Sequence, residues 1–191
     1  MNSRSKILQA LSQKMSSRTP LPELPSFSLN EDAVFKFKDT LRNIGGTVID
    51  LKTQAGIQEY ISQHYSSHAR IVSMIPGIQA ERPNANSIPH EFESVDLMII
   101  KAHFAVAENG AVWITEELMG DRVLPFLCQH LAVVVEEVNI VETMHQAYDR
   151  IGAVAYEFGT FIAGPSKTAD IEQSLVLGAH GPKTMTVFLI S

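Results

Sequence analysis

The sequence predicts an α/β fold in which helices cover a layered sheet. Helical repeats of apolar residues alternate with short apolar runs from about residue 30 onward. Gly-Gly, Pro-Gly and Asn-Gly pairs punctuate those segments. The chain has 191 residues and is 45% apolar, which suits one domain with a sizeable core.

The first element is a helix, because Ile7, Leu8, Leu11 and Met15 fall on one face and Ser3 or Ser5 can cap it. Pro20, Pro22 and Pro25 then crowd into a short stretch that neither a helix interior nor a central strand accepts. Residues 1–29 are therefore expected to form an N-terminal helix on a proline-rich linker, and residues 30–191 the α/β domain. The linker frees the first helix to pack elsewhere, for instance on a partner subunit.

Asn30 is the expected cap of a second helix carrying Val34, Phe37, Leu41 and Ile44, which Gly45-Gly46 stops. Thr47–Leu51 reads as a strand, and Ile57, Tyr60, Ile61 and His64 as a helix. Ile71–Ile75 reads as a buried strand ended by Pro76-Gly77. Residues 77–94 form a long loop, either a functional lid or a surface excursion. Asp96–Ile100, Phe104–Ala107, Ala111–Thr115 and Leu131–Val135 follow as strands. Asn139 and Glu142 resemble a capping box before a helix marked by Val141, Met144, Tyr148 and Ile151. Phe158–Ala163, Leu175–Leu177 and Met185–Ile190 close the chain as strands.

Net charge is −6 and no basic tract appears, so the footprint of nucleic-acid binding is missing. The N-terminal stretch lacks the apolar core of a signal peptide, and no apolar run reaches membrane-spanning length, so a cytoplasmic location is expected. The one cysteine, Cys128, can neither close an intrachain disulfide nor hold an iron–sulfur cluster. Its apolar neighbours mark it as a small buried hydrophobe rather than a nucleophile. The seven histidines are scattered, and no metal triad can be assembled from them.

Three segments concentrate polar chemistry. Gly164-Pro165-Ser166-Lys167-Thr168-Ala169-Asp170-Ile171-Glu172 follows an apolar strand. Ser166 or Thr168 there can cap a short helix whose free N–H groups meet an anion, with Lys167 adding charge. Its lysine is not adjacent to Gly164, which rules out a P-loop. Gly178-Ala179-His180-Gly181-Pro182 places a histidine, a residue type able to exchange protons, between glycines. Glu108-Asn109-Gly110 reads as a hairpin turn, with Glu108 at a strand end where a partly desolvated carboxylate can act as base or nucleophile.

Together, the run 164–172, the run Leu175–Pro182 and the turn Ala107–Gly110 resemble the lactate-utilisation (LUD) domain, in the small form called the LutC/YkgG family. The turn departs from the family's pattern at Asn109, where threonine is usual. The resemblance implies a three-layer α/β/α sandwich with a mixed sheet, akin to the NagB/RpiA/CoA-transferase group. It implies a subunit of bacterial L-lactate oxidation, working beside LutA-like and LutB-like iron–sulfur proteins and carrying no redox centre or cofactor itself. Glu108, Asp170 and His180 are the candidate catalytic residues. Gly164, Ser166, Lys167, Thr168, Glu172, Gly178 and Gly181 are the candidate ligand-binding residues. Two other functions fit these residues. One is an independent enzyme on a small acid, sugar phosphate or CoA ester using Glu108, whose turn resembles that of class I CoA-transferases. The other is a ligand-binding module without turnover.

Overall fold

The structure is a computed structural model that describes residues 2–14, 22, 25, 28, 31–83, 88–171 and 174–191. Helix α1 spans Ser3–Lys14, and the Asn2 side chain, rather than Ser3 or Ser5, accepts the Ser5 amide at 2.9 Å. Ile7, Leu8 and Leu11 are all exposed on it. The expected cap Asn30 lies outside the described residues. Helix α2 (Ala33–Asn43) is capped instead by Asp32, whose side chain accepts the Phe35 amide at 2.8 Å.

Five strands build the central sheet: β1 (Thr47–Leu51), β2 (Ile71–Ser73), β3 (Leu97–Lys101), β6 (His130–Glu136) and β11 (Thr184–Ile190). Their order is β1-β11-β6-β3-β2, and every pairing is parallel. Helices therefore cover both faces, and the strands are apolar on both sides. Met98, Ile100, Leu131, Val133, Val135, Val187 and Leu189 share one cluster with Phe37 and Leu41 of α2. Leu97, Ile99, Ala132, Val134 and Phe188 point the other way, onto Ile57 and Ile61 of α3 (Ala55–His64). This alternation makes the three layers α/β/α.

The mixed pairing expected of the sheet occurs in a second, four-stranded sheet inserted after β3. It comprises β4 (Phe104–Val106), β5 (Ala111–Thr115), β7 (Ile140–Val141) and β8 (Gly159–Ile162), in the order β7-β4-β5-β8. Ala105, Val112 and Ile114 join the α2 core, while Phe104, Val106 and Trp113 face Ala147 and Ile151 of α6 (Met144–Ile151). Short helices α4 (Glu116–Met119) and α5 (Leu124–Leu127) link β5 to β6.

The expected box at Asn139 and Glu142 is displaced. Thr143 caps α6 by accepting the Gln146 amide at 3.3 Å, and the Gln146 side chain accepts the Glu142 amide at 2.8 Å. The long loop before β3 is held by Arg70, which bonds Glu81 at 2.7 and 2.9 Å, Ser94 Oγ at 2.7 Å and the Glu91 carbonyl. Among the described residues, no helix is long and apolar enough to cross a membrane.

Candidate functional site

The two glycine-bounded bends near the end of the chain are joined. The Ser166 amide donates to the Pro182 carbonyl at 2.9 Å, and the Gly178 amide donates to the Ser166 carbonyl at 3.0 Å. Gly181 lies against the same serine: a Cβ built on it would fall 3.4 Å from Ser166 Oγ. His180 is exposed on this bend. Lys167 is exposed beside Gly45, with Nζ 3.7 Å from where a Cβ on that glycine would stand.

The Glu-Asn-Gly turn reaches the same corner. Gly110 and Gly164 both have positive φ, 70° and 72°. A Cβ on Gly110 would lie 3.2 Å from Ile44 Cδ1, and one on Gly164 would lie 3.0 Å from the Ile44 carbonyl oxygen. Ile44, the C-cap of α2, thus sits between the two turns. Its neighbours leave no room for side chains there, which explains both glycines.

This corner is not at the usual end of the parallel sheet. Ligand loops in α/β folds commonly cluster beyond the carboxyl ends of parallel strands. The 164–168 segment does follow a strand, but that strand is β8 of the second sheet. Relative to the central sheet it lies by Gly45 before β1 and Pro182 before β11, at the amino ends.

The expected short helix at Ser166 or Thr168 does not form. Residues Lys167–Ile171 are strand β9, paired antiparallel with β10 (Ser174–Leu177), with Lys167 opposite Leu177 and Thr168 opposite Val176. Paired strands direct their N–H groups sideways into the ladder, so no helix-end cluster of N–H groups arises here. Thr168 and Asp170 occupy β9, and Glu172 falls outside the described residues.

Glu108 follows a different direction. Its turn is the expected hairpin, with Ala107–Gly110 linking Val106 to its partner Ala111. Asn109 Oδ1 accepts the Ala111 amide at 3.0 Å. The Glu108 carboxylate, however, accepts the amide of Met144, the first residue of α6, at 2.8 Å. A carboxylate at a helix N-terminus is stabilised by unpaired N–H groups and the helix dipole. The two bends and the Glu108 turn are therefore adjacent in backbone, while the Glu108 side chain is engaged with α6.

A cleft that the sequence reading did not anticipate lies on the outer face of the second sheet. It encloses about 550 Å³. Phe104, Trp113, Tyr156 and Phe158 give it apolar walls, and His103, Thr115, Glu116, Glu117, Arg150 and Glu157 give it polar ones. His103 Nε2 and Thr115 Oγ1 are hydrogen-bonded at 2.7 Å. Burial pushes the imidazole below its ordinary pKa; Glu117 opposes the shift, while Arg150 and Lys101 add to it. Arg150 donates to Asn139 Oδ1 at 2.6 Å, and its guanidinium carbon lies 5.1 Å from the centroid of the Phe104 ring. These residues come from widely separated segments, so no linear motif could have signalled them.

Cys128 is buried, and burial pushes its thiol up to about 12. A thiol so protonated is a poor nucleophile. His64 ends α3 and His68 lies beyond it, so the two do not share a helical face.

The layered frame and the interlocked C-terminal bends define an α/β domain of a recognisable class. The family model of the LUD domain matches residues 50–190, and the chain belongs to that family. It is 31% identical over 104 residues to Lactate utilization protein C of Bacillus pumilus, a stretch covering 51% of this chain and 43% of that protein. The protein of the same name from Shouchella clausii is 33% identical over 95 residues, covering 47% and 42% respectively. The chain thus aligns with less than half the length of these curated relatives. A crystal structure of a DUF162 family protein from Deinococcus radiodurans superposes with a TM-score of 0.63. It covers 83% of this chain and 96% of its own at 18% identity, and so shares the fold.

Proposed function

We propose that this protein is a subunit of a bacterial L-lactate oxidation system, working with LutA-like and LutB-like iron–sulfur proteins and carrying no redox centre itself. The observation that carries the reading is membership of the LUD family, with relatives named Lactate utilization protein C. The single buried cysteine is in keeping with electron transfer being left to partners.

In this reading the joined bends form the working surface. Lys167 supplies a compact positive charge for a small carboxylate or an acidic partner residue. Gly164, Ser166, Thr168, Gly178 and Gly181 are the residues of the two bends that would meet the ligand, and Glu172, proposed with them, lies outside the described residues. Asp170 and His180 are the groups that would move protons, and the Glu108 carboxylate holds the first turn of α6. The positive Lys167 beside the bare Gly45 backbone favours this anion-binding role over the CoA-transferase alternative.

Deletion of the gene in its native host tests the reading. Growth on L-lactate should fail and return with the intact gene, and affinity purification of the native protein should recover iron–sulfur proteins. Undiminished growth on L-lactate together with an absence of such partners would sink it.

A further inference from the structure

The cleft beside His103 contains chemistry that the C-terminal bends do not use. None of its walls comes from residues 164–182. Its volume of about 550 Å³ falls within the range of small-molecule sites. That is far more space than a three-carbon acid fills.

We propose that this cleft binds a small monocarboxylate bearing an aromatic or branched apolar body, with Arg150 holding the carboxylate and Trp113, Val154 and Tyr156 holding the body. The contrast between two arginines carries the first half. Arg122 is neutralised by Glu116 at 2.5 Å and Glu157 at 3.2 Å. Arg150 meets the neutral Asn139 amide and the Phe104 ring, and among the described residues no carboxylate lies within ion-pair distance of it. A guanidinium fork with donors to spare fits a carboxylate by two parallel hydrogen bonds.

The second half rests on surface left in water. Val154 is 69% exposed and Tyr156 46% exposed, and both line the cleft next to Trp113. Tyr156 stands edge-on to Trp113 with ring centroids 5.4 Å apart, leaving an L-shaped apolar corner. A flat or branched apolar group would cover that corner and remove it from water. Charge then limits the ligand to one negative group. Glu116, Glu117 and Glu157 stand on the same walls, so a phosphate or a larger polyanion meets like charge. The hydrogen-bonded His103 and Thr115 offer neutral polar contacts to a substituent near the carboxylate. This inference does not depend on the lactate reading, because the two sites share no residues.

Trp113 is the only tryptophan in the chain, so its fluorescence reports on the cleft directly. The full chain is titrated with 3-phenyllactate, with lactate, which lacks the apolar body, and with 2-phenylethanol, which lacks the carboxylate. The expected result is a saturable change with 3-phenyllactate and binding at least about tenfold weaker for the other two. Arg150→Gln should weaken 3-phenyllactate roughly tenfold, since a charge-assisted contact is lost. Tyr156→Ser should weaken it by removing one apolar wall, and Lys52→Gln, on an exposed residue outside the cleft's lining, should not. Circular dichroism melts confirm that each variant is folded, and calorimetry confirms stoichiometric binding. The proposal is overturned if 3-phenyllactate gives no saturable signal in either method, if lactate binds as tightly, or if Arg150→Gln and Tyr156→Ser bind as the unaltered protein does.

Discussion

Ser166 is bonded on both sides of its peptide to the second bend, its amide to the Pro182 carbonyl at 2.9 Å and its carbonyl to the Gly178 amide at 3.0 Å. The backbone of one residue therefore fastens the two turns. Ser166→Ala keeps both bonds and should leave stability nearly unchanged. Ser166→Pro removes the donor, leaves the Pro182 carbonyl unmatched and should cost about 1–3 kcal/mol. Urea unfolding of the two variants separates the backbone contribution from the hydroxyl. Equal midpoints would mean that the bends are held by something else.

Gly164→Ala should destabilise the protein by about 1–3 kcal/mol. The residue sits at φ 72°, and a methyl group would lie 3.0 Å from the Ile44 carbonyl oxygen, an atom anchored at the end of α2. Neither the backbone angle nor the carbonyl can adjust cheaply. If the thermal midpoint of the variant matches that of the parent, the corner between the turn at Gly110 and the bend at Gly164 is looser than its geometry indicates.

Glu108→Ala should cost about 0.5–2 kcal/mol, the usual loss when a helix N-terminal acceptor is removed. Glu108→Gln retains an oxygen for the Met144 amide, held at 2.8 Å, and should lose less. Both are read by thermal unfolding. A mass increase on Glu108 after incubation with acyl-CoA esters would instead show the carboxylate leaving α6 to act as a nucleophile.

Cys128 should resist thiol reagents in the folded protein. It is 1% exposed, and burial holds its pKa near 12, so the thiolate is scarce at neutral pH. Colour release from Ellman's reagent should therefore follow the unfolding curve in denaturant. Rapid labelling without denaturant would show a local opening around α5.

The inner strands of the central sheet were legible in the sequence because they are buried on both faces. Thr47–Leu51 is a strand with the expected bounds, and Leu97–Ile100 is an unbroken apolar run whose members divide between two cores. Caps were less legible, since Asp32 and Thr143 compete with equally suitable neighbours and only the geometry of the entering chain decides. The hydroxyl-rich segment after Gly164 suggested a helix start, yet pairing with Ser174–Leu177 made it a strand. Local preference yields there to a partner several residues away. The cleft was invisible because His103, Thr115, Arg150 and Tyr156 are brought together only by the packing of β5, α6 and the segment that follows α6.

The pH dependence of stability should carry the mark of two histidines. His103 and His130 are both held below their ordinary pKa of 6.5, mainly by burial. Lys183 adds to the shift at His130 and Asp96 opposes it. His130 Nδ1 is hydrogen-bonded to Thr184 Oγ1 at 2.8 Å, as His103 is to Thr115. In each case the folded state binds its proton less readily than the unfolded chain does. Their contribution is therefore complete above about pH 6.5 and is lost as pH falls from there through the lower folded pKa. Glu81, whose carboxyl is lowered by Arg70, contributes its own loss only below the ordinary carboxylate value of 4.5, so the windows separate. Thermal midpoints between pH 7.5 and pH 5 should fall for the unaltered protein and fall less for a His103→Gln/His130→Gln double variant. Parallel slopes for the two proteins would show that neither imidazole is held neutral by the fold.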